Sequence, residues 1–176
     1  MNPYYTIGHS TRPIESFVEL LQSAEVRLVI DVRTVPRSRA NPQYNRDALV
    51  PALAAFGVAY QTIRALGGLR GRQRGIAHET NAFWENESFH NYADYALGEA
   101  FASGLLELRR LGSATPSAIM CAEALWWRCH RRIIADYLIA AGETVFHILC
   151  PNDMEPARMT PAARPGPGGT LVYPAE

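Results

Sequence analysis

Lysine is absent from this chain. All 17 basic residues are arginine. The absence removes Schiff-base catalysis on a lysine. Planar guanidinium forks are left as the means of holding an anion, and these favour bidentate contact with carboxylate or phosphate. A surplus of either charge is also missing, since 17 acidic residues bring the formal net charge to zero. A general nucleic-acid coat needs a positive excess, so that class is disfavoured, while a local basic pocket is not. Cysteine is scarce and odd in number. Cys121, Cys129 and Cys150 lack the spacing of a disulfide framework. No apolar run approaches the roughly 20 residues that span a bilayer, so no membrane partner is expected. Met1-Asn2-Pro3 opens without a basic stretch followed by an apolar one, so no signal peptide is expected and a reducing cytoplasm is the expected address. Composition names no cofactor and no oligomeric state.

What is present is ordinary globular material. Apolar residues make up 48% of the 176 and charged residues 19%, enough for one domain with a proper core. Tyr4 to Ile7 reads as a short strand ending at Gly8. Ser10 or Thr11 is expected to cap the next helix, with Pro13 in its first turn and Ile14, Phe17, Val18 and Leu21 on one face. Val26 to Ile30 is a continuous apolar run stopped by Asp31, the pattern of a buried parallel strand. Arg33 to Tyr44 carries Pro36 and Pro42 and reads as a loop. Asn45 is expected to cap a helix through Phe56, with Leu49, Leu53 and Phe56 inward and Gly57 closing it.

Val58 to Ile63 is a third strand candidate. The Gly- and Arg-rich stretch from Leu66 to Gly75 predicts a long loop, of the kind that often carries function. Phe89 to Leu111 is helical in pattern, with Gly98 and Gly104 as candidate breaks. Ser117 to Met120 predicts a fourth strand ending at Cys121, Cys129 to Ala141 a helix, and Thr144 to Leu149 a fifth strand. From about residue 151 the chain is irregular and rich in Pro and Gly, with a short final strand expected at Thr170 to Tyr173. Cys150 is expected in the core. There are no repeats and no dividing linker.

Strands alternating with helices predict an α/β domain with a mostly parallel sheet and helices on both faces. Ligands in such sheets bind beyond the carboxyl ends of the strands. His9 follows the first strand, Asp31 ends the second and Cys121 ends the fourth. Three chemically mixed stretches therefore fall on one edge: Gly8-His9-Ser10-Thr11-Arg12, the run from Asp31 to Arg39, and the run from Met120 to Ile134.

At these residues the chain resembles the bacterial family known as domain of unknown function 488. The resemblance rests on Tyr5-Thr6-Ile7-Gly8-His9-Ser10-Thr11-Arg12, on Asp31-Val32-Arg33 with Pro36, Ser38 and Arg39, and on Leu66-Gly67-Gly68. It continues through Tyr92-Ala93-Asp94-Tyr95, Met120-Cys121-Ala122-Glu123-Ala124, Trp127-Arg128-Cys129-His130-Arg131 and His147-Ile148. It implies an α/β fold and little chemistry. Two stretches depart from the family's pattern, at Trp126 and at Met159-Thr160-Pro161-Ala162-Ala163, where an aromatic is lost.

The residues allow several chemistries. Cys129 at a helix start, among arginines, has the surroundings of a thiolate; Cys121 and Cys129 could equally be small buried fillers. His9 could serve as a general base oriented by Asp31, or cap a turn while Asp31 pairs with Arg33 or Arg12. Cys121, Glu123, Cys129 and His130 complete the candidate catalytic set. Candidate ligand-binding residues are Gly8, Ser10, Thr11 and Arg12, then Arg33, Ser38 and Arg39, then Gly67, Gly68, Arg128 and Arg131. A phosphatase loop fails on spacing, because six residues rather than five separate Cys121 from Arg128. A sulfurtransferase is suggested only by Asp31-Val32-Arg33. The metal-ligand types are present without a zinc spacing, so no metal ligands are assigned. The leading expectation is an enzyme with an arginine-lined pocket for a phosphorylated, nucleotide-like or nucleic-acid ligand. A non-catalytic anion- or nucleic-acid-binding module and a thiol redox or metal-binding protein are the alternatives.

Overall fold

Apolar runs form the strands and amphipathic stretches the helices between them. The computed structural model describes residues 1–176. In chain order it contains β1 (Tyr4–Gly8), α1 (Ile14–Ser23), β2 (Leu28–Asp31), α2 (Arg46–Ala54), β3 (Ala59–Thr62), α3 (Glu87–Tyr95), α4 (Glu99–Ala114), β4 (Ser117–Cys121), α5 (Arg131–Ala140) and β5 (Val145–Cys150). Three short strands follow: β6 (Asp153–Pro156), β7 (Arg164–Pro165) and β8 (Leu171–Val172). Six strands form one sheet in the order β3-β2-β4-β1-β5-β6, parallel except for β6; β7 and β8 form a separate pair. This is an α/β fold with a mostly parallel sheet.

The sheet has an apolar layer on each face, because side chains alternate along each strand. Leu28, Ile30, Ile119, Cys121 and Val145 pack with residues of α3, α4 and α5, among them Tyr92, Phe101, Leu108 and Ile133. Ile7, Val29, Ala118, Met120 and Ile148 pack on the other face with Phe17 and Leu21 of α1 and Leu49 and Leu53 of α2. The alternation fixes one consequence for chemistry: Cys121 faces the α5 side.

Several expectations are corrected. Neither Ser10 nor Thr11 caps α1. Pro13 holds the cap position without a side-chain hydrogen bond, because Ser10 sits at φ 49° in a tight turn where Arg12 N–H donates to His9 O at 3.2 Å. A missing cap costs about 1 kcal/mol. Burying Phe17, Val18, Leu20 and Leu21 returns roughly 1.5–3 kcal/mol each and decides the matter. Asn45 does not cap α2 through its side chain either; its Oδ1 accepts from Ser38 N–H at 2.8 Å and ties down the arginine-bearing loop. Phe56 lies beyond the end of α2 and is 49% exposed rather than inward. Gly98 does separate α3 from α4, but Gly104 stays within α4, where a Cβ would lie 2.9 Å from Ala65 Cβ.

Cys150 is exposed, not in the core. The β5–β6 pairing shifts register between Ile148 and Cys150, which turns the last residue of β5 outward towards Asp153. The irregular tail also contains β6, a strand too polar to show an apolar pattern. The tail is anchored on α5. Asp136 accepts from Thr160 N–H at 2.8 Å and from the Tyr173 hydroxyl at 3.0 Å.

Gly112 on α4 faces the Tyr4 ring so closely that a Cβ would lie 2.1 Å from Cε1. Alanine in a helix normally gains about 1 kcal/mol over glycine, whereas overpacking a filled core costs about 1–3 kcal/mol. Gly112→Ala is therefore expected to lower the thermal midpoint by a few degrees in a scanning melt. An unchanged or raised midpoint would contradict this packing.

Candidate active site

β1 and β4 are neighbours whose connections leave over opposite faces, β1 into α1 and β4 into α5. A crevice opens at the carboxyl ends where connections diverge in this way. The two chains stay together just past the sheet: His9 N–H donates to Cys121 O at 2.9 Å and Ser10 N–H to Ala122 O at 3.0 Å. Gly8 permits this approach, since a Cβ there would fall 1.9 Å from Glu123 O. Beyond Glu123 a single 3-10 turn, Trp126–Arg128, returns the chain so that Cys129 and His130 precede α5. The helix expected from Cys129 thus begins two residues later, with His130 at its cap.

This return places two thiols together. Cys121 Sγ and Cys129 Sγ are 2.8 Å apart, both buried and both free. Cys129 Sγ also receives Arg131 N–H and Arg131 Nε–H, each at 3.4 Å, and has His130 Nδ1 at 3.4 Å. Burial alone pushes the Cys129 thiol up. The Cys121 S–H and the charges of His130 and Arg131 outweigh burial, so Cys129 ionises well below the ordinary thiol range. Cys121 moves the opposite way, raised by burial and by its bond to Cys129. The two sulfurs therefore titrate as a pair across their contact, with Cys129 the one favoured as thiolate and Cys121 the one favoured as thiol. A lowered value for Cys129 has a definite sign for stability. The stabilisation is fully present above the ordinary thiol range and is lost as pH falls through the depressed value.

Arg131 organises the inner wall. It is 1% exposed and has no carboxylate partner within ion-pair distance. Nη2 donates to Glu123 O at 2.5 Å and Nη1 to Thr6 Oγ1 at 3.1 Å. Thr6 in turn faces its β5 neighbour His147, with Oγ1 2.7 Å from Nδ1. Thr6 thus links Arg131 to His147 through one hydroxyl oxygen. Burial, then Arg131, lowers His147 to about 3, so this ring stays neutral. Trp126 stacks on it at 4.3 Å and donates from Nε1 to Glu155 at 3.2 Å.

A second buried group lies at the ends of β1 and β2. Arg33 grips Asp31 through Nε and Nη2, the latter at 2.7 Å, and the Tyr60 hydroxyl also donates to Asp31. Arg33 Nη1 is 3.4 Å from His9 Nε2, while His9 Nδ1 is 2.8 Å from Ser10 O. Arginine can only donate, so His9 carries its proton on Nδ1. Burial first, and Arg33 among the charges, lowers the His9 value. Asp31 thus reaches His9 through Arg33 rather than directly. The His9 ring also stacks on Tyr44 at 4.2 Å.

A pocket of about 420 Å³ opens beside Arg33 and the two thiols, lined by Cys121 at the end of β4, by Glu123, Arg128, Cys129 and His130 after it, and by Arg33, Thr34, Val35 and Arg37 after β2. Gly68, Leu69, Ser88 and Phe89 form the far wall. His130 is fixed by Nε2–H donating to Val32 O at 2.9 Å, which leaves Nδ1 for the thiol. Gly68 lets the loop lie against that ring, since a Cβ would fall 2.5 Å from Nδ1. Gly67 similarly packs on Thr34.

Other residues expected at the site lie apart from the pocket. Arg12 donates to Gly8 O and Leu149 O and ties the ends of β1 and β5 together. Ser38 Oγ accepts from Asn41 N–H, and Thr11 and Arg39 are exposed. Thr34 and Phe89 were not among the expected site residues, and Thr6 and His147 entered only through the family motifs. A signal for the Thr6–His147 pair existed: each is a polar residue inside an apolar strand.

No three His, Cys, Asp or Glu side chains are grouped to hold a metal ion. A second cavity of about 410 Å³, lined by His78, Trp84, His90 and Asp94, holds no thiol. No helix is long and apolar enough to cross a membrane. In comparisons with known proteins, a family model described as domain of unknown function DUF488 matches residues 13–138. No curated protein and no solved structure matches.

The paired thiols make a prediction about protons. Cys121→Ser keeps a donor to Cys129, whereas Cys121→Ala removes it. The pH midpoint for alkylation of Cys129 by iodoacetamide, followed by peptide mass spectrometry, is expected to rise in the alanine variant and to rise less in the serine variant. Identical midpoints in all three proteins would show that Cys121 does not share its proton.

Proposed function

We propose that this protein, which belongs to the DUF488 family, is an enzyme that uses the Cys129 thiolate as a nucleophile towards an anionic small molecule. The observation that carries the reading is a buried cysteine sulfur, approached by two Arg131 N–H groups and by Cys121 Sγ, beside a pocket rimmed by two uncommitted guanidinium groups. Arg37 and Arg128 are exposed, line the pocket and make no side-chain hydrogen bond within the protein. They are free to take the charged end of a ligand.

The pocket volume falls within the range of about 300–1,000 Å³ usual for small-molecule sites. With zero net charge over the whole chain, that size favours a phosphorylated or nucleotide-like ligand, or another compact anion, over a polymer. Cys129 attacks an electrophilic atom of the bound anion, and a bond to sulfur forms as the bond to the leaving group breaks. His130 is the group placed to protonate the leaving group. Its Nε2 is tied to Val32 O, so Nδ1 is the nitrogen that faces sulfur and pocket. Asp31 and His9 act one step removed, fixing Arg33. Glu123 lies on the pocket wall, where its carboxylate accepts from Leu125 N–H at 3.1 Å.

Two reagents that differ only in charge test the reading. Iodoacetate is anionic and iodoacetamide neutral. The ratio of their rates at Cys129 is expected to exceed that of a small free thiol by about tenfold, equivalent to about 1.4 kcal/mol. It should fall towards the free-thiol ratio in the Arg37→Ala/Arg128→Ala double variant and in high salt. A free-thiol ratio in the unaltered protein would refute anion guidance. A Cys129 inert to both reagents, in a protein that still binds inorganic phosphate, would favour a non-catalytic anion-binding module.

A further inference from the structure

We propose that Cys121 is a resolving thiol and that Cys121 and Cys129 together form a thiol–disulfide exchange centre for disulfides that carry carboxylates. The proposal rests on the thiolate reading above and names its substrate class.

A nucleophilic cysteine in a pocket does not need a second thiol beside it. Here the second sulfur is 2.8 Å away, buried on the same wall, and delivered by a separate element, the end of β4. Bond formation requires the sulfurs to close by only about 0.8 Å, to roughly 2.05 Å. The third thiol, Cys150, is exposed at the end of β5 and bonded to Asp153, outside the pocket lining. The close pair is thus a local arrangement rather than a general abundance of thiols.

The steps balance with what the pocket holds. Cys129 thiolate attacks one sulfur of a disulfide R–S–S–R′. The Cys129–S bond forms, the S–S bond breaks, and R′S⁻ departs with a proton from His130 Nδ1. Cys121 then gives its proton to His130 and attacks Cys129 Sγ, expelling R–S⁻, which leaves as the thiol with that proton. The substrate disulfide gains two electrons and the cysteine pair loses two. A low-molecular-weight thiol of the same class returns them by the reverse route.

The surroundings also set the direction in which the pair leans. A disulfide between Cys121 and Cys129 removes the thiolate facing Arg131, a guanidinium with no carboxylate partner. The reduced state is thereby favoured, so the disulfide is an oxidising one that low-molecular-weight thiols readily reopen. Arg37 and Arg128 supply contacts for the carboxylates of such a disulfide.

The test uses the full chain carrying Cys150→Ser, with glutathione disulfide as the probe, read by intact mass. The protein with both remaining cysteines is expected to lose two hydrogens and to retain no glutathione. With Cys121→Ser added, it is expected to stop with one glutathione on Cys129. With Cys129→Ser added instead, it is expected to remain unmodified. Reduced glutathione should reopen the disulfide in the first protein. If the first protein retains glutathione, or stays unmodified while its Cys129 is readily alkylated, the resolving role is wrong and the thiolate reading survives. If Cys129 resists both glutathione disulfide and alkylation, both readings fail.

Discussion

The site depends on a buried positive charge that has no carboxylate. Arg131 is almost wholly inside the protein, and the acidic groups of the chain lie elsewhere. An isolated buried charge costs several kcal/mol, so its surroundings must compensate. Glu123 O and Thr6 Oγ1 supply dipoles, and the paired sulfurs of Cys121 and Cys129 are the nearby groups able to carry negative charge, with Cys129 the one held low. The guanidinium holds the thiolate and the thiolate balances the guanidinium. Thr6 and the neutral His147 then keep Arg131 from turning away.

Backbone approach fixes the remainder. Gly8 lets β1 run against the chain leaving β4, and Gly68 lets the loop after β3 reach the His130 ring. A side chain at either glycine would displace the thiol-bearing segment or the imidazole. Both shape the site by allowing close packing against protein atoms, and Gly68 also lines the pocket.

The sequence made the sheet and its working edge legible. Apolar runs at Val26–Ile30 and Ser117–Met120 read correctly as buried strands, and the positions of His9, Asp31 and Cys121 at strand ends follow from them. Less legible was anything decided by three-dimensional closure. The pairing of Cys121 with Cys129 depends on the return made by the Trp126–Arg128 turn, which no periodicity encodes. Cys150 was misplaced because an apolar run does not show where a bulge turns its last residue outward. Phe56 was misplaced because α2 ends two residues before it. The Asp31–Arg33–His9 relay shows the same limit: the charges were visible, but which one bridges the others was not.

The account stands on the ionisation of one sulfur. The most direct measurement is a carbon-13 NMR titration of protein labelled at the cysteine β-carbons, with resonances assigned through single Cys→Ser variants. The account predicts that near neutral pH Cys129 gives the shift of a thiolate and Cys121 that of a thiol, with the Cys129 transition lying at more acidic pH than that of an ordinary cysteine. Two protonated cysteines near neutral pH would contradict it, for Arg131 would then be buried without any counter-charge.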